Sequence, residues 1–383
     1  MKRTSKRTSK MYIIGMLASM LVGMVIAACF GPSPAPVESE PVEAPAPAEA
    51  AAPAEAPADA PAAQAAGKST LDVVKERGKV ICVGNAALPG FGFLDEAGAF
   101  TGFDVDFCSA VAAAVFGDAS AFEVRAATAS ERFTVLQSGE ADVLFRNTTW
   151  TMSRDTDLGA NFGPTTFYDG QGLMVRVEDG FETLQDLEGG SICVQTGTTT
   201  ELNLADQMAA AGVSYEPVVY ETADETSSAY EEGRCDAFTT DKSGLVSRQS
   251  IMAEPDAHKI MDVTLSKEPL APMVRQGDDQ WFDIINWVVF ATFTGEEMGI
   301  NMDNVDSFMG TEDPNIRKLL GEEGEFGAKI GLSNDWAYQV IKQVGNYSDI
   351  YNRNLGPDSI FDLPRGLNAS YVDGGLLYAP PIR

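Results

Sequence analysis

The sequence predicts an α/β protein of two lobes, each a mainly parallel sheet flanked by helices, with a cleft between the lobes and a two-strand hinge. Three observations carry this reading. From Lys68 onward, strand-like and helix-like segments alternate, the pattern of parallel sheets with crossover helices. A corner made of a strand, a hydroxyl-rich turn and a helix start occurs twice, at 141–155 and at 191–211. Finally, Ser266-Lys267-Glu268-Pro269-Leu270-Ala271-Pro272 breaks any helix and reads as a return from the second lobe to the first. Ligands of open α/β sheets bind in the crevice beyond the carboxyl ends of the strands, where both corners point.

Residues 1–28 read as a targeting segment. Lys2, Arg3, Lys6, Arg7 and Lys10 form a basic start, 11–28 is apolar, and Ile26-Ala27-Ala28-Cys29 is similar to a bacterial lipobox, in which the Cys is acylated and becomes the new N-terminus. The alternative is an uncleaved anchor, because the apolar run is nearly long enough to span a bilayer; small residues before Cys29 favour cleavage. Residues 29–67 are then the acylated Cys and a disordered Pro/Ala-rich tether that buries no core. At ~3 Å per residue in polyproline geometry it reaches roughly 100 Å.

The folded part follows in order. Residues 71–77 read as a short helix and 79–84 as a strand. Phe100-Thr101-Gly102-Phe103-Asp104 leads into a helix over 105–116, with Val105, Cys108, Val111, Ala112 and Val115 at helical spacing. Residues 122–126 form a strand, 132–136 a helix ending at Ser138-Gly139, and 141–145 a strand. Residues 68–170 thus make the first part of lobe one. The Gly-rich stretch from Phe167 to Val175 crosses into lobe two, 171–268, with strands at 191–195 and 235–240 and a helix at 201–211. Residues 269–383 return to lobe one and wrap it, with an apolar helix over 281–293 and helical pieces at 314–320 and 335–344. The 281–293 helix is too short to cross a membrane and reads as core, as do Trp281, Trp287 and Trp336.

The chain has 383 residues, enough for two lobes. A formal charge of −29 argues against nucleic acid and against charge-driven binding to anionic lipid. The single His, His258, sits in Glu254-Pro255-Asp256-Ala257-His258-Lys259, read as a surface loop, which leaves most Ser-His-Asp and zinc chemistry without its residues. Cys29 aside, four cysteines remain. Cys82 lies on the first strand and Cys108 on the next helix; Cys193 and Cys235 lie on strands expected to be neighbours. The expected pairs are Cys82–Cys108 and Cys193–Cys235, against the alternative of four buried free thiols.

The corners carry the function. Free N–H groups at a helix N-terminus attract an anion. In the first corner Asn147, Thr148 and Thr149 precede Arg154, whose guanidinium offers a planar two-toothed grip. In the second, Thr198 and Glu201 fit a capping box. A third strand ends at Asp241. Two anion-seeking corners and one acid suit an α-amino acid, with its carboxylate on the corners and Arg154 and its ammonium on Asp241. Taken singly, each corner is also an ordinary helix cap.

Gly102-Phe103-Asp104-Val105-Asp106-Phe107-Cys108-Ser109-Ala110-Val111-Ala112 resembles the signature of the polar amino-acid family of extracytoplasmic solute-binding proteins. The blocks 146–151, 195–206, 234–241 and 378–383 extend that resemblance from Lys68 to Arg383, to the general L-amino-acid binders of ABC importers. It implies a periplasmic-binding-protein-like clamp, monomeric, without cofactor, metal or catalysis, partnered by an L-amino acid and an ABC permease and held to the outer face of the cytoplasmic membrane through Cys29. Polar and acidic amino acids and their amides are favoured. The same fold also carries sensing modules and lyases. By matching motif, Arg154 grips the α-carboxylate, assisted by Thr149 and the Thr199 N–H, while Asn147 and Asp241 receive the ammonium. Arg132 faces a side-chain carboxylate or, alternatively, forms a lobe-one salt bridge. Phe91 or Phe93 replaces the stacking Tyr of many relatives. Trp150 is either cleft wall or lobe-one core.

Overall fold

Two five-stranded sheets organise the chain, one per lobe. The computed structural model describes residues 68–383; the leader, Cys29 and the Pro/Ala-rich segment lie outside the described residues. In the first sheet Val80–Gly84 runs parallel to Phe122–Ala126 on one side and to Val143–Leu144 on the other. Met273–Arg275, returning from the second lobe, inserts antiparallel between Val143–Leu144 and Ala160–Phe162. The second sheet repeats the plan: Ser191–Gln195 lies parallel between Glu216–Tyr220 and Ala237–Asp241, and Gln171–Arg176 and His258–Ile260 complete it antiparallel. Between the sheets, Phe167–Asp169 pairs antiparallel with Glu268–Leu270, so two adjacent strands carry the chain from one lobe to the other and back.

The lobe-one core is centred on a helix with no polar face to expose. Phe103–Phe116 buries ten residues along its length, the mark of a helix covered on every side. Its entry depends on Gly102 at φ 130°, where an added Cβ would stand 2.4 Å from the Phe91 carbonyl oxygen. Against it pack Asp279–Glu297 and the tail helices Trp336–Gln343 and Tyr347–Asn354, which contribute Trp336, Val340, Ile341, Tyr347, Ile350 and Tyr351 to one cluster. Trp281 is buried there, with its indole N–H donating to the Asp142 carbonyl at 3.0 Å, while Trp287 packs at the edge of the cluster. Lobe two has its own cores on the two faces of its sheet.

Both disulfides form, Cys82–Cys108 and Cys193–Cys235. Each ties a strand to an element of its own lobe, and neither crosses the hinge. Replacing either pair by alanine is expected to cost about 3–4 kcal/mol, the chain-entropy value for such loops, given sequence separations of 26 and 42 residues. Urea titration with and without reductant measures this; a wild-type midpoint unmoved by reductant would contradict it.

One expectation needs correcting here. His258 is not in a surface loop. It begins the edge strand His258–Ile260, is buried, and its Nδ1 lies 2.9 Å from the Tyr230 hydroxyl. Burial, reinforced by the nearby Arg176 charge, lowers its pKa.

Candidate functional site

The two corners face each other across the hinge. The chain from Asn147 to Trp150 is stitched to the hinge strand: the Trp150 N–H donates to the Pro269 carbonyl at 2.8 Å, and the Ala271 N–H donates to the Thr148 carbonyl at 3.0 Å. Asn147 sits at φ +30°, a left-handed conformation rare for a residue with a Cβ. It is held there by Asp104, whose carboxylate accepts the Asn147 N–H at 2.7 Å, and by Asn85, whose amide donates to its Oδ1 at 3.3 Å. Burial raises the Asp104 pKa to about 7, against the lowering effects of the Asn147 N–H and of Arg146. The Gly-Phe-Asp stretch thus reaches the site through the backbone of Asn147.

On lobe two, Thr198 caps the helix Thr199–Ala211 by accepting the Glu201 N–H at 3.2 Å. The capping box is incomplete: the Glu201 carboxylate accepts instead from the Gly197 N–H at 3.2 Å. Gly197, at φ +71°, passes so close to lobe one that an added Cβ would stand 2.8 Å from the Ser130 hydroxyl. The Thr149 and Thr199 hydroxyls meet at 3.3 Å across the cleft. Both also donate to the buried hinge carboxylate of Glu268, at 2.5 and 2.9 Å, and Asn203 donates to its other oxygen at 2.7 Å. Glu268 therefore fastens the lobes together, and the threonine hydroxyls are committed to it. The first-turn N–H groups of Thr199 and Thr200 have no partner within their helix.

These elements enclose a cavity of about 50 Å³, several times the ~10–15 Å³ that one water needs. Asn147, Thr149, Thr199, Arg132 and Asp241 all line it. Asp241 ends its strand and starts the helix Lys242–Gln249 without spending its carboxylate on a cap bond. Burial, helped by the neighbouring acids Asp169 and Glu268, pushes its pKa well above the carboxylate range. Asp169, under the same burial, is raised to about 6 although it accepts from Ser243. Arg132 is 3% exposed and its Nε has no partner. Burial, then the like charges of Arg154 and Arg146, lower its pKa well below the usual guanidinium value. The alternative of a lobe-one salt bridge to Arg132 does not form among the described residues. The cavity wall thus carries one carboxylate, Asp241, and three guanidinium groups, Arg132, Arg146 and Arg248.

Arg154 is not among the cavity-lining residues. Its Nη1 donates to the Thr149 carbonyl at 3.0 Å, directly behind the wall. Its guanidinium and that of Arg132 both contact the Phe133 ring, with centroid distances of 5.2 and 4.8 Å. None of the three aromatic candidates lines the cavity. Phe91 is buried in the lobe-one core, edge-on to Phe103 and Phe167 at 5.9 and 5.2 Å. Phe93 faces solvent on the strand Gly92–Leu94, and Leu88 lines the cavity instead. Trp150 points outward and stacks on Phe162 at 5.7 Å, neither cleft wall nor core. Sequence reading also passed over Asn85, Arg146 and Arg248, which line the cavity. Arg248 had a signal: it lies seven residues after Asp241, two helical turns along the same face.

The model of bacterial extracellular solute-binding proteins, family 3, matches residues 80–299. The chain belongs to that family. A general L-amino acid-binding periplasmic protein of Rhizobium johnstonii is 52% identical to it, over 84% of this chain and 95% of the relative. The glutamate/glutamine/aspartate/asparagine-binding protein of Rhodobacter capsulatus is 47% identical, again over 84% of this chain and 95% of the relative. Among solved structures, an ABC transporter periplasmic binding protein of Brucella ovis with glutathione bound superposes with a TM-score of 0.81 at 46% identity, covering 83% of this chain and all of that one. Family 3 membership places the protein outside the cytoplasm and accounts for the paired sheets and the two-strand crossing between them.

Proposed function

We propose that the protein captures L-amino acids by closing its lobes over them and delivers them to the membrane permease of an ABC importer. The carrying observation is the charge-divided cavity at the mouth of a two-strand hinge. In this reading the α-carboxylate lies at the N-terminus of Thr199–Ala211, on the N–H groups of Thr199 and Thr200, with Thr149 beside it and Arg154 behind as counter-charge. The α-ammonium lies on Asp241, with Asn147 alongside. Arg154 fits the role because it forms no ion pair among the described residues. A micromolar complex needs about −8 kcal/mol, and hydrogen bonds to charged groups give roughly 1.5–3 kcal/mol each, so a handful of such contacts suffices without a large apolar pocket. The names of the relatives support amino acids as the ligand class. Anchoring through an acylated Cys29 and monomeric action complete the proposal.

The role in this reading is binding, which the names of the relatives support. Calorimetric titration of the refolded, ligand-stripped protein with each of the twenty L-amino acids is expected to show micromolar binding of several and consumption of none. Binding of none sinks the amino-acid reading, and turnover sinks the transport reading.

A further inference from the structure

Glu268 sits on the hinge strand Glu268–Leu270 and is 1% exposed. Four neutral donors share its carboxylate. One oxygen accepts from the Thr149 and Thr199 hydroxyls, at 2.5 and 2.9 Å. The other accepts from the Asn203 amide at 2.7 Å and from the Ser266 hydroxyl. These donors differ in what carries them. Thr149 is bridged to Leu270, on the same strand as Glu268, so it stays with lobe one and the hinge. Ser266 precedes Glu268 on the same stretch of chain and moves with it. Thr199 and Asn203 lie one turn apart on the helix Thr199–Ala211 of lobe two. Rotation of the lobes apart about the hinge draws that helix, with its two donors, away from Glu268. Hydrogen bonds to an ionised acceptor are roughly twice as strong as neutral ones. Two further contacts between the lobes are single bonds: the buried Ser247 hydroxyl donates to the Pro89 carbonyl at 2.7 Å, and the Thr128 hydroxyl donates to the Glu221 carboxylate at 3.4 Å on the rim.

We propose that Glu268 is a positioning residue for closure, the centre of a latch made of protein atoms alone. The latch sets the balance between open and closed lobes and so scales the affinity for every amino acid by one factor. This deepens the amino-acid reading and rests on it. A ligand that binds only the closed form loses apparent affinity in proportion to how rarely that form is populated. The bonds of Glu268 contribute to that population whatever side chain the ligand carries, since Glu268, Asn203 and Ser266 do not line the cavity. Closure is then stabilised by the frame of the protein and does not depend on a match to one side chain, which suits a receptor for several amino acids.

The test is titration of the full chain in mild detergent with L-alanine, L-glutamine and L-glutamate. Alongside it, single-molecule energy transfer between fluorophores on the two lobes reads the closed fraction of the ligand-stripped protein. Asn203→Ala keeps every charge and removes one bond between the lobes. It is expected to weaken all three ligands by the same factor, about 10-fold, in unchanged order, and to lower the closed fraction. Glu268→Gln removes the ionised acceptor and is expected to act in the same direction, by about 100-fold. Ser266→Ala removes a donor from the same carboxylate oxygen without touching the helix of lobe two, and is expected to leave both readouts unchanged. If Glu268→Gln does not fold, Asn203→Ala decides. Unequal losses among the three ligands, an unchanged closed fraction in Asn203→Ala, or an equal effect of Ser266→Ala overturns the latch while leaving amino-acid capture standing. Failure of wild type to bind any of the three overturns the amino-acid reading, and the closed fraction of the empty variants still decides the latch.

Discussion

Asp241→Asn abolishes measurable amino-acid binding while the empty protein becomes more stable. Both effects follow from one carboxylate. Asp241 is buried beside Asp169 and Glu268, and its pKa stands well above the ordinary value of 3.8. A raised folded pKa means that ionisation is penalised in the empty fold. Its contribution is therefore most favourable below about 3.8 and is lost as pH rises toward the folded value. The amide carries no charge and escapes that penalty. A ligand ammonium reverses the situation, since it adds a counter-charge at the carboxylate to the weaker effects of Arg132 and Arg154. Proton and ammonium compete for the same oxygens, so wild-type affinity should fall as pH drops through the raised pKa, and binding should release protons. Calorimetry in two buffers of different ionisation enthalpy, with thermal melts of wild type and variant, measures all three effects. Unaltered affinity in the variant, or unfolding of the variant at lower temperature than wild type, would refute the assignment.

The second large effect is expected at Arg154. Removing one member of a buried, hydrogen-bonded charge pair costs about 3–5 kcal/mol, which is two to three orders of magnitude or more in affinity. Arg154→Ala should therefore lose binding of every amino acid, acidic or neutral. Arg154→Lys keeps the charge without the fork and should recover only part. The guanidinium is fixed by the Thr149 carbonyl and the Phe133 ring, so the alanine variant also leaves a gap beside Phe133. Melts of the empty protein separate that loss from the loss of binding. Micromolar affinity retained in Arg154→Ala moves the carboxylate to one of the arginines that line the cavity, Arg132, Arg146 or Arg248.

The elements were legible where local signals and periodicity agreed. The strand Ser191–Gln195, the helix capped by Thr198 and the helix stop at Gly139, with φ +81°, all follow from turn chemistry. What failed were the residues whose direction is set by distant chain. Phe91 lies in the loop expected to reach the ligand, but its carbonyl accepts the Asp104 N–H at 2.9 Å, and that contact accompanies a ring turned into the core. Trp150 is turned outward because its backbone pairs with Pro269, more than a hundred residues away. His258 joins an edge strand of three residues, too short to show a period, after Pro255 and Asp256 had signalled a turn. Arg248 was readable from its spacing to Asp241, but its place in the cavity wall is set by the packing of the second lobe.

The insertion of Met273–Arg275 into the first sheet sets an order of events during synthesis. That strand separates Val143–Leu144 from Ala160–Phe162, so the first sheet stays open until residue 275 has emerged. The second sheet is built entirely from strands between Gln171 and Ile260 and closes on its own. Folding therefore runs opposite to the usual N-terminal-first sequence: the later lobe matures while the earlier one waits, and long-range pairing makes that wait slow. The first lobe is thus kept from closing through the synthesis of nearly three quarters of the chain, 275 of 383 residues.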